Sequence, residues 1–455
     1  MTEEITSALA KVKGMAVVAR TSAFQFKGEN KDIRAVGRAL GANRLIEGSV
    51  RMAGDRVRIT AQLIQSDTGA HLWTESYDRE LKDVFAVQED IAQAIAGALQ
   101  VPLGLNEGEH LVSNRTNNTS SYQDYLRARA LYRARNIWQV IAVLEPMVKR
   151  DPTYAPAWAL LADAYQLAPF YMFSPHDGSI KQVSARYQSI AKQTEWAAQQ
   201  ALRLDPHNAA AHAALANAAL GRLDWTTVFD QFRQALALDP NDPDTLHLYS
   251  LSGLLSSGYL KQGLNIRDKL RNLEPLVPAY NIFTAVALLN QGQTHEAVNL
   301  LETVPTGGPT DYFRNKYLAT ALAATGRFGE AADTLLSTPP TAFVSRTAIE
   351  NAAQYLRNAP KTAVRPNELP DFLDFSFVYP LIDAPNRAFE ETEYNISIEG
   401  APSALWEIWN PIFAPLRKTE RFKELVRNAK LVDYWRAKGW PDLCHPAGAD
   451  DFACN

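Results

Sequence analysis

Histidine and cysteine carry the plainest claim to chemistry in this chain, and their spacing limits it. The eight histidines are His71, His110, His176, His207, His212, His247, His295 and His445. No HExxH pattern occurs. His207 and His212 are five apart, off a common helical face, whereas a metal site needs converging ligands. His71 falls beside Trp73 in an alternating stretch and reads as a packing or solvent-side residue. Cys444 and Cys454 bracket HPAGADDFA. A disulfide between them would close a small loop, worth on the order of 2–3 kcal/mol by the chain-entropy estimate; the alternative is two free thiols. With His445 they offer zinc only three poorly spaced donors. Asp450 and Asp451 read as a solvated acidic pair. The phosphate-loop, dinucleotide and nucleophile-elbow patterns G-x-x-x-x-G-K-[ST], G-x-G-x-x-G and G-x-S-x-G are all missing. No catalytic residue, metal or cofactor is expected, and the chain is expected not to be an enzyme.

The bulk composition points the same way. The chain has 455 residues, 46% hydrophobic and 21% charged, with a formal charge of −4. That balance gives no broad attraction for nucleic acid or acidic membranes. No run of 18 or more apolar residues is present, so no membrane span is expected. The opening MTEEITSALAKVKGMAVV is acidic where a signal peptide would be basic. A cytoplasmic location is expected for the chain as it stands, and a periplasmic one if a membrane span precedes it.

Two grammars divide the sequence. Residues 1–104 read as a small α+β domain. A helix is predicted over Glu3 to Val12, buried through Ile5, Leu9 and Val12. MAVVARTS (15–22) is predicted to be a short strand. Asp32 caps a second helix that stops at Gly41. LIEGSVRMAGDRVRITAQLIQSDTGAHLWTESYDRE then alternates through three strands, roughly 43–52, 56–66 and 70–78. Arg56, Arg58, Thr60 and Gln62 fall on a wet face, and Val57, Ile59, Ala61 and Leu63 on a buried one. A helix capped by Asp83 runs to about 99, buried through Val84, Val87, Ile91 and Ile95. Residues 105–120 read as a linker.

From 121 to 340 the period changes to 34. Pro206, Pro240 and Pro275 close successive helices, and Gly292 and Gly326 mark the next two turns. This is the tetratricopeptide spacing. Trp158, Leu161, Ala162 and Tyr165 suit a first helix. Ala201, Ala235, Ala297 and Ala331 are the small residues that let second helices approach their neighbours. Six units start near 121, 155, 209, 243, 278 and 312. An insertion near 169–186 carries Pro169-Phe170-Tyr171-Met172-Phe173; Tyr171 and Phe173 are either partner contacts or rings folded over the gap they create. Residues 341–455 read as a degenerate repeat and an irregular helical cap. The fold class is thus an α+β domain followed by an all-α solenoid.

VVARTSAFQFKG, followed by DIRAVGRALGANRLIEGSVRMAGDRVRITAQLIQSDTGAHLWTESYDRELKDVFAVQEDIAQAI, resembles the TolB amino-terminal-like domain. That domain precedes tetratricopeptide repeats in bacterial sensory proteins. LVDYWRAKGWPDLCHPAGADDFAC resembles their closing segment. The family usually has an apolar strand ahead of the first helix, a membrane span, and a winged-helix regulator or nucleotide cyclase as effector; these residues supply none of them. The family's extracytoplasmic placement favours the disulfide.

The function expected is a scaffold that binds a protein or peptide partner in the groove of a signalling protein's solenoid. The alternatives are the regulatory part of a class III adenylate cyclase or winged-helix regulator, and a small-molecule sensor. Candidate groove residues are His212, Asn217, Tyr249, Asn281 and Asn315.

Overall fold

The computed structural model describes residues 5–6, 8–9, 12, 15, 17–18, 20–28, 32–54, 56–80, 84–101, 116, 118–134, 136–169, 177–308, 310–341, 344–360, 365–398, 405–448 and 450–455. The sheet is a three-stranded antiparallel meander, β1 (Arg44–Ala53), β2 (Arg56–Gln65) and β3 (His71–Glu80), in the order β1-β2-β3. Val57, Ile59, Ala61 and Leu63 are buried on one face of β2. Helix α2 (Val84–Ala98) shares their core through Val87, Ile91 and Ile95, as do Ile5, Leu9 and Val12. On the opposite face, Arg56 and Arg58 share the Asp78 carboxylate at 2.6 and 2.8 Å. Helix α1 (Ile33–Leu40) starts where the Asp32 side chain accepts from the Arg34 N–H. It ends at Gly41, whose φ of +62° suits a residue without Cβ. Asp83 and the linker residues 105–115 lie outside the described residues.

Residues 15–22 depart from expectation. Arg20–Ala23 forms a helical turn that runs into a 3-10 turn, Phe24–Phe26. Contacts outside the domain settle this. The Ser22 N–H donates to Glu274 Oε2 at 2.7 Å, the Leu276 N–H donates to Ser22 Oγ, and the Gln25 amide donates to the Leu276 carbonyl. The segment finds its backbone partners on the solenoid, 251–254 residues along the chain.

Among the described residues, six helical hairpins follow: α3/α4 (Thr119–Arg133, Ile137–Arg150), α5/α6 (Ala155–Leu167, Ile180–Leu204), α7/α8 (Ala209–Leu220, Trp225–Leu238), α9/α10 (Pro243–Leu248, Leu260–Leu273), α11/α12 (Pro278–Asn290, Thr294–Thr303) and α13/α14 (Asp311–Ala324, Phe328–Leu336). Caps explain several starts: Asn118, Asn208, Asp224 and Asp242 each accept a backbone N–H from the first turn. Ala201, Ala235, Ala297 and Ala331 are completely buried, as the close approach of neighbouring helices requires. Two features were not legible. Helix α6 is 25 residues long because the insertion supplies its first turns behind a Ser179–Gln182 capping box. Helix α9 continues into a π-helical stretch, Tyr249–Leu255.

Helix α15 (Arg346–Arg357) ends the repeat-like part. The rest is short 3-10 turns with α16 (Glu390–Ser397), α17 (Glu420–Asn428), α18 (Leu431–Lys438) and a hairpin of β4 (Cys444–Pro446) and β5 (Phe452–Cys454). Trp409, Phe422, Trp435 and Phe452 are fully buried and share one core with hairpins three to six.

Candidate functional site at the first-helix face of hairpins three to six

Helix α13 carries a buried polar cluster. Residues 315–323 are buried without a break, so this helix is covered on every side. One cover is the tail, residues 405–455. Val286, Leu289 and Asn290 of α11, and Lys316, Tyr317 and Thr320 of α13, line a cavity with Phe377, Glu407, Asn410 and Phe413. The cavity is about 20 Å³, room for a single water and not for a metabolite. Both α11 and α13 are first helices of their hairpins, so the tail sits where the sequence predicts a partner.

Lys316 is 2% exposed. Its Nζ lies 2.6 Å from Glu407 Oε1 and 2.8 Å from Asp374 Oδ2. The Tyr312 hydroxyl donates to Asp374, and the Tyr317 hydroxyl donates to Glu407 at 3.0 Å. The Trp406 Nε1–H donates to the Tyr317 hydroxyl at 3.2 Å, and the Asn290 amide donates to the Trp406 carbonyl at 2.7 Å. Burial opposes charge on Lys316, but the two carboxylates outweigh it and hold the ammonium above its usual value. Burial, and then the neighbouring carboxylates, push the Tyr312 and Tyr317 hydroxyls up. Lys316 thus stays charged and both tyrosine hydroxyls stay protonated at neutral pH, while burial pushes the Glu407 carboxyl up.

Three more indoles tie the tail to the hairpins. Trp225 Nε1 donates to the Ala429 carbonyl at 2.7 Å, Trp435 Nε1 to Ser257 at 3.0 Å, and Trp409 Nε1 to Ser256 at 3.4 Å. Gly258 (φ +86°) is the point of closest approach: a Cβ there would meet the Trp409 ring and Pro441 at 3.0 Å. The Lys261 N–H donates to Asp442, and the Tyr259 hydroxyl donates to the Gly439 carbonyl. The Cys444 and Cys454 sulfurs are bonded across the β4–β5 ladder. Arg417, 4% exposed, donates to the Ile408 and Asn410 carbonyls and to Asn455, binding the end of the tail to the turn that holds Glu407. Asp451 is not merely solvated; it holds Lys423 at 2.6 Å and Arg427 at 3.0 Å.

The groove residues named from sequence scatter. His212 Nδ1 meets Gln231 at 2.8 Å, and Asn217 donates to the Ala213 carbonyl within its own helix. Tyr249 packs against Phe229 and Phe232. Asn281 donates to the Pro275 carbonyl. Asn315 is 6% exposed and bonds Ser337 and Arg314, which removes it from any surface. Tyr171 and Phe173 lie outside the described residues. Sequence reasoning missed Lys316, Asn290, Trp406 and Glu407. A signal existed: a lone lysine in the otherwise apolar run KYLATALAA, and a carboxylate between the two indoles of WEIW.

No protein-family model matches the chain. Among curated proteins, it is similar to one described as putative adenylate cyclase 3 from Rhizobium meliloti (strain 1021), 41% identical over 165 residues, 36% of this chain. The match spans 28% of that relative's length. Solved structures with a similar backbone include pilF of Pseudomonas aeruginosa, with TM-score 0.35 and 16% identity over 48% of this chain and 89% of that one. A tetratricopeptide repeat protein from Parabacteroides merdae ATCC 43184 gives TM-score 0.35 and 11% identity over 69% and 100%. At that similarity the solenoid assignment stands on the hairpins themselves.

Proposed function

We propose that the chain is a non-catalytic protein-interaction module of a bacterial signalling protein, and that the first-helix face of its repeats receives a partner segment. The observation that carries this reading is that the face already accommodates polypeptide: Asn290, Lys316 and Tyr317 together contact a main-chain carbonyl, a carboxylate and an indole. Concave repeat surfaces are suited to such extended segments. A photo-crosslinking residue placed at Asn217 or Asn281 tests the reading, with Lys149 on a second helix as control. One and the same partner captured from Asn217 and Asn281, and not from Lys149, is the expected result. Capture indifferent to position, or conversion of ATP to cyclic AMP by the purified chain alone, would overturn it.

A second reading is favoured by the Rhizobium relative: the chain regulates a nucleotide cyclase catalytic domain, its TolB-like meander and solenoid acting as the control part. Adding the purified chain to the catalytic domain of that relative should change the rate of cyclic AMP formation; no change at saturating chain would remove this reading.

A further inference from the structure

We propose that the face formed by Asn290, Lys316 and Tyr317 is a recognition site for a peptide carrying an adjacent aromatic residue and carboxylate, and that Trp406–Glu407 fills it as a resident ligand. The proposal rests on the scaffold reading above and names its partner chemistry.

Lys316 is a cation with no solvent access, so a carboxylate must meet it. Asp374 supplies one from outside the tail, and Glu407 supplies the second. The Tyr317 hydroxyl stands between Glu407 and the Trp406 indole, donating to one and accepting from the other. The Phe283 and Trp406 rings meet edge to face, with centroids 6.2 Å apart at 88°. Asn290 reads the Trp406 backbone carbonyl, a contact any residue at that position could make. Cation, hydroxyl, ring and amide converge on two consecutive residues, which is the pattern of a peptide subsite.

The occupant is built as a lodger. Leu405–Trp409 is a five-residue 3-10 turn, whose i→i+3 bonds have poorer geometry than those of an α-helix. Trp406 and Glu407 are half-buried, whereas Leu405, Ile408 and Trp409 on either side of them are buried and anchor the turn. Truncating Trp406 and Glu407 therefore leaves the anchors in place and opens the Glu407 side of Lys316, with Asp374 still paired to it.

The test uses the full chain and a labelled Trp-Glu dipeptide blocked at both ends, which carries only the two side chains the variant lacks. The W406A/E407A chain should bind it at least tenfold more tightly than the unaltered chain, whose own segment competes. Adding K316M should reverse the gain, and a peptide with the same Trp and Glu replaced by Ala should not bind. Equal binding to both chains overturns the proposal. Hydrogen exchange on the unaltered protein decides independently of whether the variants fold: amides of 405–408 should exchange at least tenfold faster than those of 282–289. Equal protection would make the segment core and overturn the proposal. If the peptide fails while Asn217 and Asn281 still capture a partner, this site falls and the scaffold reading stands.

Discussion

Lys316 and Glu407 are 91 residues apart in sequence and 2.6 Å apart in space, and between them they seal the tail to the sixth hairpin. Removing one partner of a buried pair leaves a charge uncompensated. Lys316→Met should cost about 3–5 kcal/mol. Glu407→Gln should cost less, because Asp374 still meets the lysine and burial already pushes the Glu407 carboxyl up. Urea denaturation of the two variants measures the asymmetry. The pH sign follows from the raised Lys316. Its contribution is fully present below the unfolded lysine value and is lost as pH rises through the higher folded one. The difference between the parent chain and Lys316→Met should therefore shrink in strong alkali.

Gly258 gives a steric test of the same interface. It combines a positive φ with ring and proline neighbours at 3.0 Å. Gly258→Ala should cost on the order of 2–3 kcal/mol, from strain plus displaced packing. Gly292 has a positive φ but open space around it. Gly292→Ala should cost about 1 kcal/mol, and thermal melts of the two variants separate contact from conformation.

Asp242 predicts a slope in acid. It caps α9 through the Thr245 N–H, and burial followed by repulsion from Asp244 and Asp239 pushes it up to about 7. A carboxyl raised in the folded state binds its proton there more tightly than in the unfolded chain. Stability should therefore fall as pH rises from about 4 to 7. Asp242→Asn keeps the cap and should flatten that slope in denaturant titrations at stepped pH.

The cysteine pair predicts a chemical result. Freshly isolated native protein should show no reactive thiol. Cys444→Ser with Cys454→Ser should lose about 2–3 kcal/mol by the loop-entropy estimate. The loss should appear first as faster amide exchange at Phe452 and Asn455, whose backbone the β4–β5 hairpin orders.

The reach of the sequence follows the range of the interactions. The meander was legible because alternation in Val57, Ile59, Ala61 and Leu63 is local, and the hairpins because Pro206 and Pro240 repeat with the period. The tail's seat was not: Trp225 and Ala429 are 204 residues apart, and nothing periodic links an indole to one carbonyl. The same limit misled at 15–22. A β-branched pair suggested a strand, while Glu274 claimed the backbone of Ser22. Polar candidates such as Asn315 failed for a related reason: sequence places a residue on a helix but does not reveal a later segment that buries it.

The Ser22–Glu274 bond has a mechanical consequence. An array of stacked repeats unravels from its extremities, because an end unit has one neighbour instead of two. Here the leading domain is buckled to Glu274 and Leu276, and the tail to Ser256, Ser257 and Gly258, so both extremities are fastened to the middle of the array. Unravelling from either side must therefore break these contacts before the end hairpins can part.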